Sequence, residues 1–302
     1  MPETANTRCG FIAIVGAPNV GKSTLVNELV GAKVSIVTPK VQTTRNQVRG
    51  IAIFENAQIV FIDTPGIFVP KRRLDRAMVK AAWTGAGDAD LIAVLIDAKK
   101  GLDEEARAII GKLGEARGSK ALIINKIDLV PRDSLLVMAA EVDKLGIFDR
   151  IFMISAEKGD GVPDVLRYFA EAVPPGPFHY PADEITDVPM RLMAAEITRE
   201  KVYLRLHEEL PYQSTVETDS WKDLKDGSVR IEQTLFVERD SQRKIVLGEG
   251  GRMIKSISMD ARKEMETALE KRVHLFLHVK VREDWENDPA RYRAAGLEFP
   301  KE

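Results

Sequence analysis

The first half of the chain alternates short apolar runs with stretches whose apolar positions recur at helical spacing. The runs Gly10–Val15, Val48–Phe54, Ala57–Asp63, Ala89–Ile96, Lys120–Ile124 and Arg150–Ile154 read as strands. Thr24–Val30, Leu102–Arg117, Pro131–Leu145 and Val162–Ala172 read as helices. Strands with near-continuous hydrophobicity, separated by helices, predict a mostly parallel sheet covered on both faces. The pattern then breaks at Val173-Pro174-Pro175-Gly176-Pro177-Phe178-His179-Tyr180-Pro181, which cannot continue a helix and reads as an extended linker. Beyond it come a helix over Met190–Leu210, strands over Tyr212–Asp223 and Ser228–Arg239 around a turn at Asp226-Gly227, a glycine-bearing loop, a helix ending near Leu269 and a strand over Val273–Val281. The expected division is 1–173, a linker at 174–189, and 190–302.

Composition adds little to this but narrows it. A chain of 302 residues is more readily two domains than one. A formal net charge of −2 gives no global pull towards nucleic acid or membrane, so either partner needs a local patch. The single cysteine, Cys9, lies beside an N-terminus expected to be mobile and has no internal partner, which suits a reducing, cytoplasmic setting. The first residues lack the features of a signal peptide, and no apolar run nears the roughly 20 residues of a membrane span, so a soluble protein is expected.

The chemistry begins at Gly16-Ala17-Pro18-Asn19-Val20-Gly21-Lys22-Ser23-Thr24, between the first strand and the first helix. Glycines let consecutive N–H groups converge on phosphate oxygens, and the helix N-terminus adds partial positive charge there. Lys22 is placed to reach β- and γ-phosphates, and the Ser23 hydroxyl to ligate Mg²⁺. The spacing therefore implies a bound nucleoside triphosphate. At the next strand end, Asp63-Thr64-Pro65-Gly66 offers a carboxylate for an Mg²⁺-bound water and the Gly66 N–H for the γ-phosphate. Asn125-Lys126-Ile127-Asp128 follows another strand. The Asp128 carboxylate can accept from guanine N1–H and its 2-amino group, a pairing that adenine lacks, so a site built for it rejects adenine by roughly 10⁴-fold. Asn125 is expected to tie this loop to the P-loop, the Lys126 stem to cover one face of the base, and Ser155-Ala156-Glu157 to offer a backbone N–H to guanine O6. The polar stretch Val34–Arg45 reads as a switch loop in which Thr43 or, preferably, Thr44 reaches Mg²⁺ when the γ-phosphate is present. Arg45, Lys71, Arg72 and Arg73 read as solvated loop charge rather than as a catalytic finger.

Together Pro18–Thr24, Gln42-Thr43-Thr44-Arg45, Asp63–Ile67, Asn125–Asp128 and Ser155–Glu157 resemble the five G motifs of the translation-factor-related GTPases, and their spacing resembles the Era family within them. In the second half, the order α-β-β-α-α-β with Gly248-Glu249-Gly250-Gly251 between the later helices resembles a type II KH domain. The fold class is therefore an α/β P-loop GTPase domain followed by a smaller α+β KH domain. The KH resemblance implies that Gly248, Glu249, Gly250 and Gly251, with Lys244, Arg252 and Lys255, meet single-stranded RNA phosphates. Arg243, Arg262 and Lys263 extend the positive patch, against Glu249 and Asp260. Many KH loops carry a basic residue where this chain has Glu249. His274 and His278 share a strand face but stand ~13 Å apart, too far for one Zn²⁺.

What the Era resemblance implies is a monomeric GTPase that binds the 3′ region of small-subunit 16S rRNA during 30S assembly, with peripheral association at the inner membrane face as in relatives, although no anchor is visible in the sequence. GTP or GDP is the ligand and Mg²⁺ the cofactor, and catalysis is assigned to Lys22, Thr44 and Gly66. Ras-like enzymes orient water with a glutamine after Asp-x-x-Gly; Ile67 stands there instead. Asn19 matches the asparagine through which several related GTPases hold K⁺ beside the phosphates, and is the candidate source of the missing charge. Two other readings are a P-loop kinase, against which Asp128 argues, and an RNA-binding protein whose nucleotide is not turned over.

Overall fold

β-Branched and apolar residues dominate the early strands, and the sheet they form is buried on both faces. The computed structural model describes residues 7–114, 118–283, 285–289, 292 and 296–300. It divides into two compact units: Met1–Ser35, Thr44–Asp187 and Tyr292–Glu302 in one, Ile36–Thr43 and Val188–Arg291 in the other.

In the first unit the elements are β1 (Arg8–Gly16), α1 (Lys22–Val30), β2 (Val48–Phe54), β3 (Ala57–Asp63), α2 (Arg73–Gly87), β4 (Leu91–Asp97), α3 (Glu104–Gly114), β5 (Ser119–Asn125), α4 (Arg132–Asp143), β6 (Arg150–Ile154) and α5 (Val162–Ala172). The sheet order is β2-β3-β1-β4-β5-β6. All neighbours run parallel except β2, which pairs antiparallel with β3. Ile12, Ile14, Phe61, Leu95 and Leu122 are essentially inaccessible, and the Phe169 ring of α5 lies 6.0 Å from that of Phe61, tilted by 57°. Parallel strands end at one edge, so β1, β3, β4 and β5 deliver Gly16, Asp63, Asp97 and Asn125 to the same side.

Several expectations change. The helix α2 is absent from the sequence reading, where Arg72 and Arg73 count only as charge. Asp75 caps it by accepting from the backbone N–H groups of Lys71 and Arg72 at 3.0 and 2.9 Å, and Arg73 lies over the Phe299 ring at 5.1 Å. Arg45 is 6 % exposed, so it is not solvated charge. The third helix starts at Glu104 and is described to Gly114; residues 115–117 of its expected span lie outside the described residues. Cys9 is buried in β1 rather than lying at a loose end, and burial raises its thiol pKa. The proline-rich stretch is held down: Gln58 accepts from the N–H groups of His179 and Tyr180, and the Pro174 carbonyl accepts from Cys9.

The second unit contains α6 (Met190–Arg205), β7 (Ser214–Asp223), β8 (Val229–Val237), α7 (Asp240–Leu247), α8 (Arg252–Leu269) and β9 (Val273–Val281). Its sheet runs β7-β8-β9, with β7 antiparallel and β9 parallel to β8. Two apolar clusters meet along α6, and the Thr198 hydroxyl donates to Gln233 at 2.6 Å beneath it. Helix α7 starts at Asp240, where the Gln242 side chain accepts from the Glu238 and Arg239 N–H groups. Ile36–Thr43 is tied to α6: Glu200 accepts from the Val37 N–H at 2.8 Å, Arg199 donates to the Thr43 carbonyl, and Lys40 donates to the carbonyls of Tyr203 and Leu206. Among the described residues no helix is long and apolar enough to cross a membrane.

Candidate functional site: a phosphate cradle and a base-reading edge

The turn between β1 and α1 is shaped by residues that tolerate unusual backbone angles. Gly21 has φ 100°, and a Cβ there would stand 2.3 Å from Asn125 Nδ2, so only glycine lets the two loops approach. Asn19 takes φ 63°, a left-handed conformation that asparagine adopts more readily than most residues. Lys22 opens α1 and is buried, its ammonium donating to the Gly16 and Ala17 carbonyls at 3.1 and 2.9 Å. Burial lowers its pKa to about 8, against the pull of Asp63.

Beside it, Asp63 at the end of β3 gathers hydroxyls. Oδ2 accepts from Ser23 at 2.7 Å, Ser35 at 2.8 Å and Thr44 at 3.4 Å, and the Ser23 and Thr44 oxygens are 2.8 Å apart. Burial raises the Asp63 pKa, partly offset by these bonds and by Lys22. Asp63 Oδ1 is buried with no hydrogen-bond partner among the described residues. Hard oxygen donors around a buried, under-satisfied carboxylate fit Mg²⁺. Thr43 instead bonds Lys40 and Thr38. The loop from Asp63 through Gly66 is held near the P-loop by Ile67 N–H donating to the Gly16 carbonyl at 3.0 Å.

The loops expected to read the base are tied together by side-chain hydrogen bonds. Asn125 donates to the Val20 carbonyl at 2.8 Å and accepts from Ala156 N–H at 2.9 Å, so one amide links the P-loop to both other loops. Lys126 donates to the Asn19 carbonyl and to Asp97, each at 2.7 Å. The Asp128 side chain is 13 % exposed, with Lys158 3.5 Å away, and a hydrogen bond from Ser155 holds its carboxyl below the usual range. Ser155 and Ala156 are buried while Glu157 is exposed.

Three contributors escape the sequence reading. Ser35 is buried with its hydroxyl on Asp63, and Asn27 fixes it by accepting from Val34 and Ser35 N–H and donating to the Ser35 carbonyl. Asp97 is the third. Its position after an apolar run copies that of Asp63, a signal that could have found it.

In the second unit Gly248-Glu249-Gly250-Gly251 links α7 to α8, with Lys244, Glu249, Arg252 and Lys255 exposed. Arg252 pairs with Glu249, Arg243 with Asp240 at 3.9 Å, and Asp260 with Arg205 at 2.5 Å. The patch is thus partly neutralised within itself.

A strand–P-loop–helix unit with an Asp-x-x-Gly loop and an Asn-Lys-x-Asp loop on one sheet edge defines a P-loop GTPase, here carrying a KH module. Residues 11–126 match the family described as 50S ribosome-binding GTPase, and residues 209–286 match the KH domain. The chain is 65% identical to GTPase Era of Bradyrhizobium sp. (strain ORS 278), over 98% of this chain and 96% of that one. It is 61% identical to GTPase Era of Brucella suis, over 99% and 96%. The chain belongs to the Era family of GTPases. Among solved structures, Era in complex with MgGDPNP and nucleotides 1506–1542 of 16S ribosomal RNA superposes with a TM-score of 0.91 at 38% identity, covering 96% of this chain and 99% of that one. A variant of Aquifex aeolicus Era bound to GDP and aluminium fluoride gives 0.89 at 38% identity, with the same coverages.

Proposed function

We propose that this GTPase is a nucleotide-driven switch whose KH module binds the 3′ region of small-subunit rRNA, in the service of 30S assembly. The observation that carries the switch is the convergence of the Ser23, Thr44 and Asp63 oxygens at the head of α1, beside the buried Lys22. In this reading Gly16–Thr24 wrap the phosphates, and Ser23, Thr44 and Asp63 would hold Mg²⁺. Bound there, Mg²⁺ supplies positive charge to the β- and γ-phosphates. Lys22 adds its own charge where negative charge builds on the leaving oxygens, and the Gly66 N–H meets the γ-phosphate. Asn125, Lys126 and Asp128, with the Ser155–Glu157 loop, select guanine. Thr44 joins the cluster through hydroxyl hydrogen bonds to Ser23 and Asp63, which it gives up when it leaves with the γ-phosphate. For RNA, the support is the KH match together with the rRNA fragment bound by the structural relative.

Hydrolysis lacks a water-orienting glutamine at Ile67, and burial takes Arg45 out of solvent. Asn19, exposed on the P-loop, is assigned a K⁺ ion that replaces an arginine's charge. Phosphate release from GTP in KCl and NaCl at equal ionic strength tests both steps. Faster turnover in KCl, lost in Asn19→Ala, is expected. Equal rates in both salts remove the K⁺ assignment, and no turnover in either salt, with or without rRNA, removes the switch.

A further inference from the structure

Asp97 ends β4, paired in register with Asn125 of β5. Its side chain is only 7 % exposed. One carboxylate oxygen, Oδ1, accepts from Lys99 N–H at 2.9 Å, which fixes the turn after the strand. The other, Oδ2, accepts from the Lys126 ammonium at 2.7 Å. The same ammonium donates to the Asn19 carbonyl at 2.7 Å. Lys126 itself takes φ 65°, a left-handed angle that a lysine keeps only where its surroundings impose it. Behind it, Ala98 N–H donates to the Asn125 carbonyl at 2.8 Å, so the two strand ends are joined through backbone as well.

The Asn125 amide is neutral and satisfied by the Val20 carbonyl and the Ala156 N–H. The lysine differs. Its charge sits half-buried on a flexible stem with four rotatable bonds, and a carbonyl alone supplies no counter-charge. A carboxylate locked by its own turn provides that charge at a fixed point, and a charge-assisted bond there is about twice as strong as a neutral one.

We propose that Asp97 is a positioning residue for guanine-nucleotide binding: by holding the Lys126 ammonium it fixes both the P-loop at Asn19 and the loop that carries Asp128. The proposal rests on reading Asn125–Asp128 as the guanine loop. Because base and P-loop are shared by GTP and GDP, Asp97 sets how long either nucleotide stays and not which of the two is preferred.

The experiment measures release of a fluorescent GDP and a fluorescent GTP from the full chain. Its variants are Asp97→Asn, Lys126→Met and the double variant, each with a thermal melt. Asp97→Asn keeps an acceptor for Lys99 N–H but loses the charge; Asp97→Ser is the substitute if it does not fold. Each single variant is expected to speed release of both nucleotides about tenfold. The double variant is expected to be no faster than Lys126→Met, since Asp97 acts through that side chain. Multiplying effects would overturn the proposal, because Asp97 would then be stabilising its own turn. Normal release from Asp97→Asn alongside fast release from Lys126→Met also overturns it while leaving the guanine loop intact. Normal release from Lys126→Met overturns the guanine-loop role of that lysine, and the proposal with it.

Discussion

Two glycine loops precede helices α1 and α8, and Gly21 in one serves the opposite purpose to Gly250 and Gly251 in the other. In the P-loop the space around Gly21 is already taken: an added Cβ would meet Asn125 Nδ2 at 2.3 Å. In the KH loop Gly250 and Gly251 also have positive φ, 59° and 76°, but a Cβ on either would meet nothing within 4 Å. The first loop is tight because the protein packs against itself to shape a cradle. The second is packed at Gly248, where a Cβ would meet Met253 Cβ at 2.8 Å, and open over Gly250 and Gly251. A short glycine motif therefore states that a side chain is excluded, and only the packing says what excludes it.

The comparison breaks most severely at Gly21. Gly21→Ala forces the Asn125 amide off the Val20 carbonyl and strains a φ of 100°. A strained backbone of ~1–3 kcal/mol plus a lost buried bond of ~1–3 kcal/mol sum to about 4 kcal/mol, or roughly a 10³-fold loss of GTP affinity. Titration with a fluorescent nucleotide measures it. RNA binding by the same variant, without nucleotide, is expected to be unchanged.

The mirror experiment places Asp at both Gly250 and Gly251. Aspartate tolerates left-handed angles and has room, so the unit is expected to fold, with a melt close to the parent's. Two negative charges then face the phosphates, and single-stranded RNA affinity is expected to fall about a hundredfold at moderate salt. GTP turnover without RNA stays the same. Unaltered RNA affinity in a folded variant would remove the KH loop from the interface.

A smaller effect tests the cradle by pH. Lys22, the cradle's buried cation, has a pKa near 8 when no nucleotide is bound. Phosphate oxygens favour its charged form, so the bound state keeps the proton to higher pH. Below about pH 8 both states are protonated and Lys22 adds no pH dependence. Above it the free protein loses the proton that the complex retains, binding takes up a proton, and affinity falls by up to about tenfold per pH unit. Binding isotherms from pH 7 to 9.5 check this, and Lys22→Met is expected to flatten the slope.

How much of this was legible in the sequence follows the same division. Strand-end motifs were readable because parallel topology converts a position after an apolar run into a place on one edge, where the structure puts Asp63 and Asn125. Asp97 obeys the same rule but belongs to no familiar motif. Ser35 reaches Asp63 through a position that Asn27 holds across eight residues. The helix α2 was hidden by a basic start, since Lys71, Arg72 and Arg73 look like loop charge until Asp75 is seen to cap them. Arg45 looked solvated because sequence carries charge but not burial. The proline-rich stretch gave no sign that Gln58, far away in the chain, would hold it.

The smallest effect concerns the residue that least suits the open loop. Glu249 pairs with Arg252, both highly exposed at 87 % and 77 % of their side-chain surface. Such a pair contributes at most about 1 kcal/mol to stability, so it has little structural reason to exist. Its effect on a partner is larger: the carboxylate repels phosphate and also occupies the guanidinium that would meet it. Glu249→Gln removes the repulsion and frees Arg252 without adding charge. Glu249→Lys does the same and adds one cation. Single-stranded RNA affinity at 0.1 M salt is expected to rise severalfold for the first and by about tenfold for the second, with the salt slope steepening by about one phosphate contact in each step. A series of titrations from low to moderate salt resolves the two slopes. If both variants keep the parent's slope, phosphates do not reach the Gly248–Gly251 loop, and the open space over Gly250 and Gly251 belongs to something other than RNA.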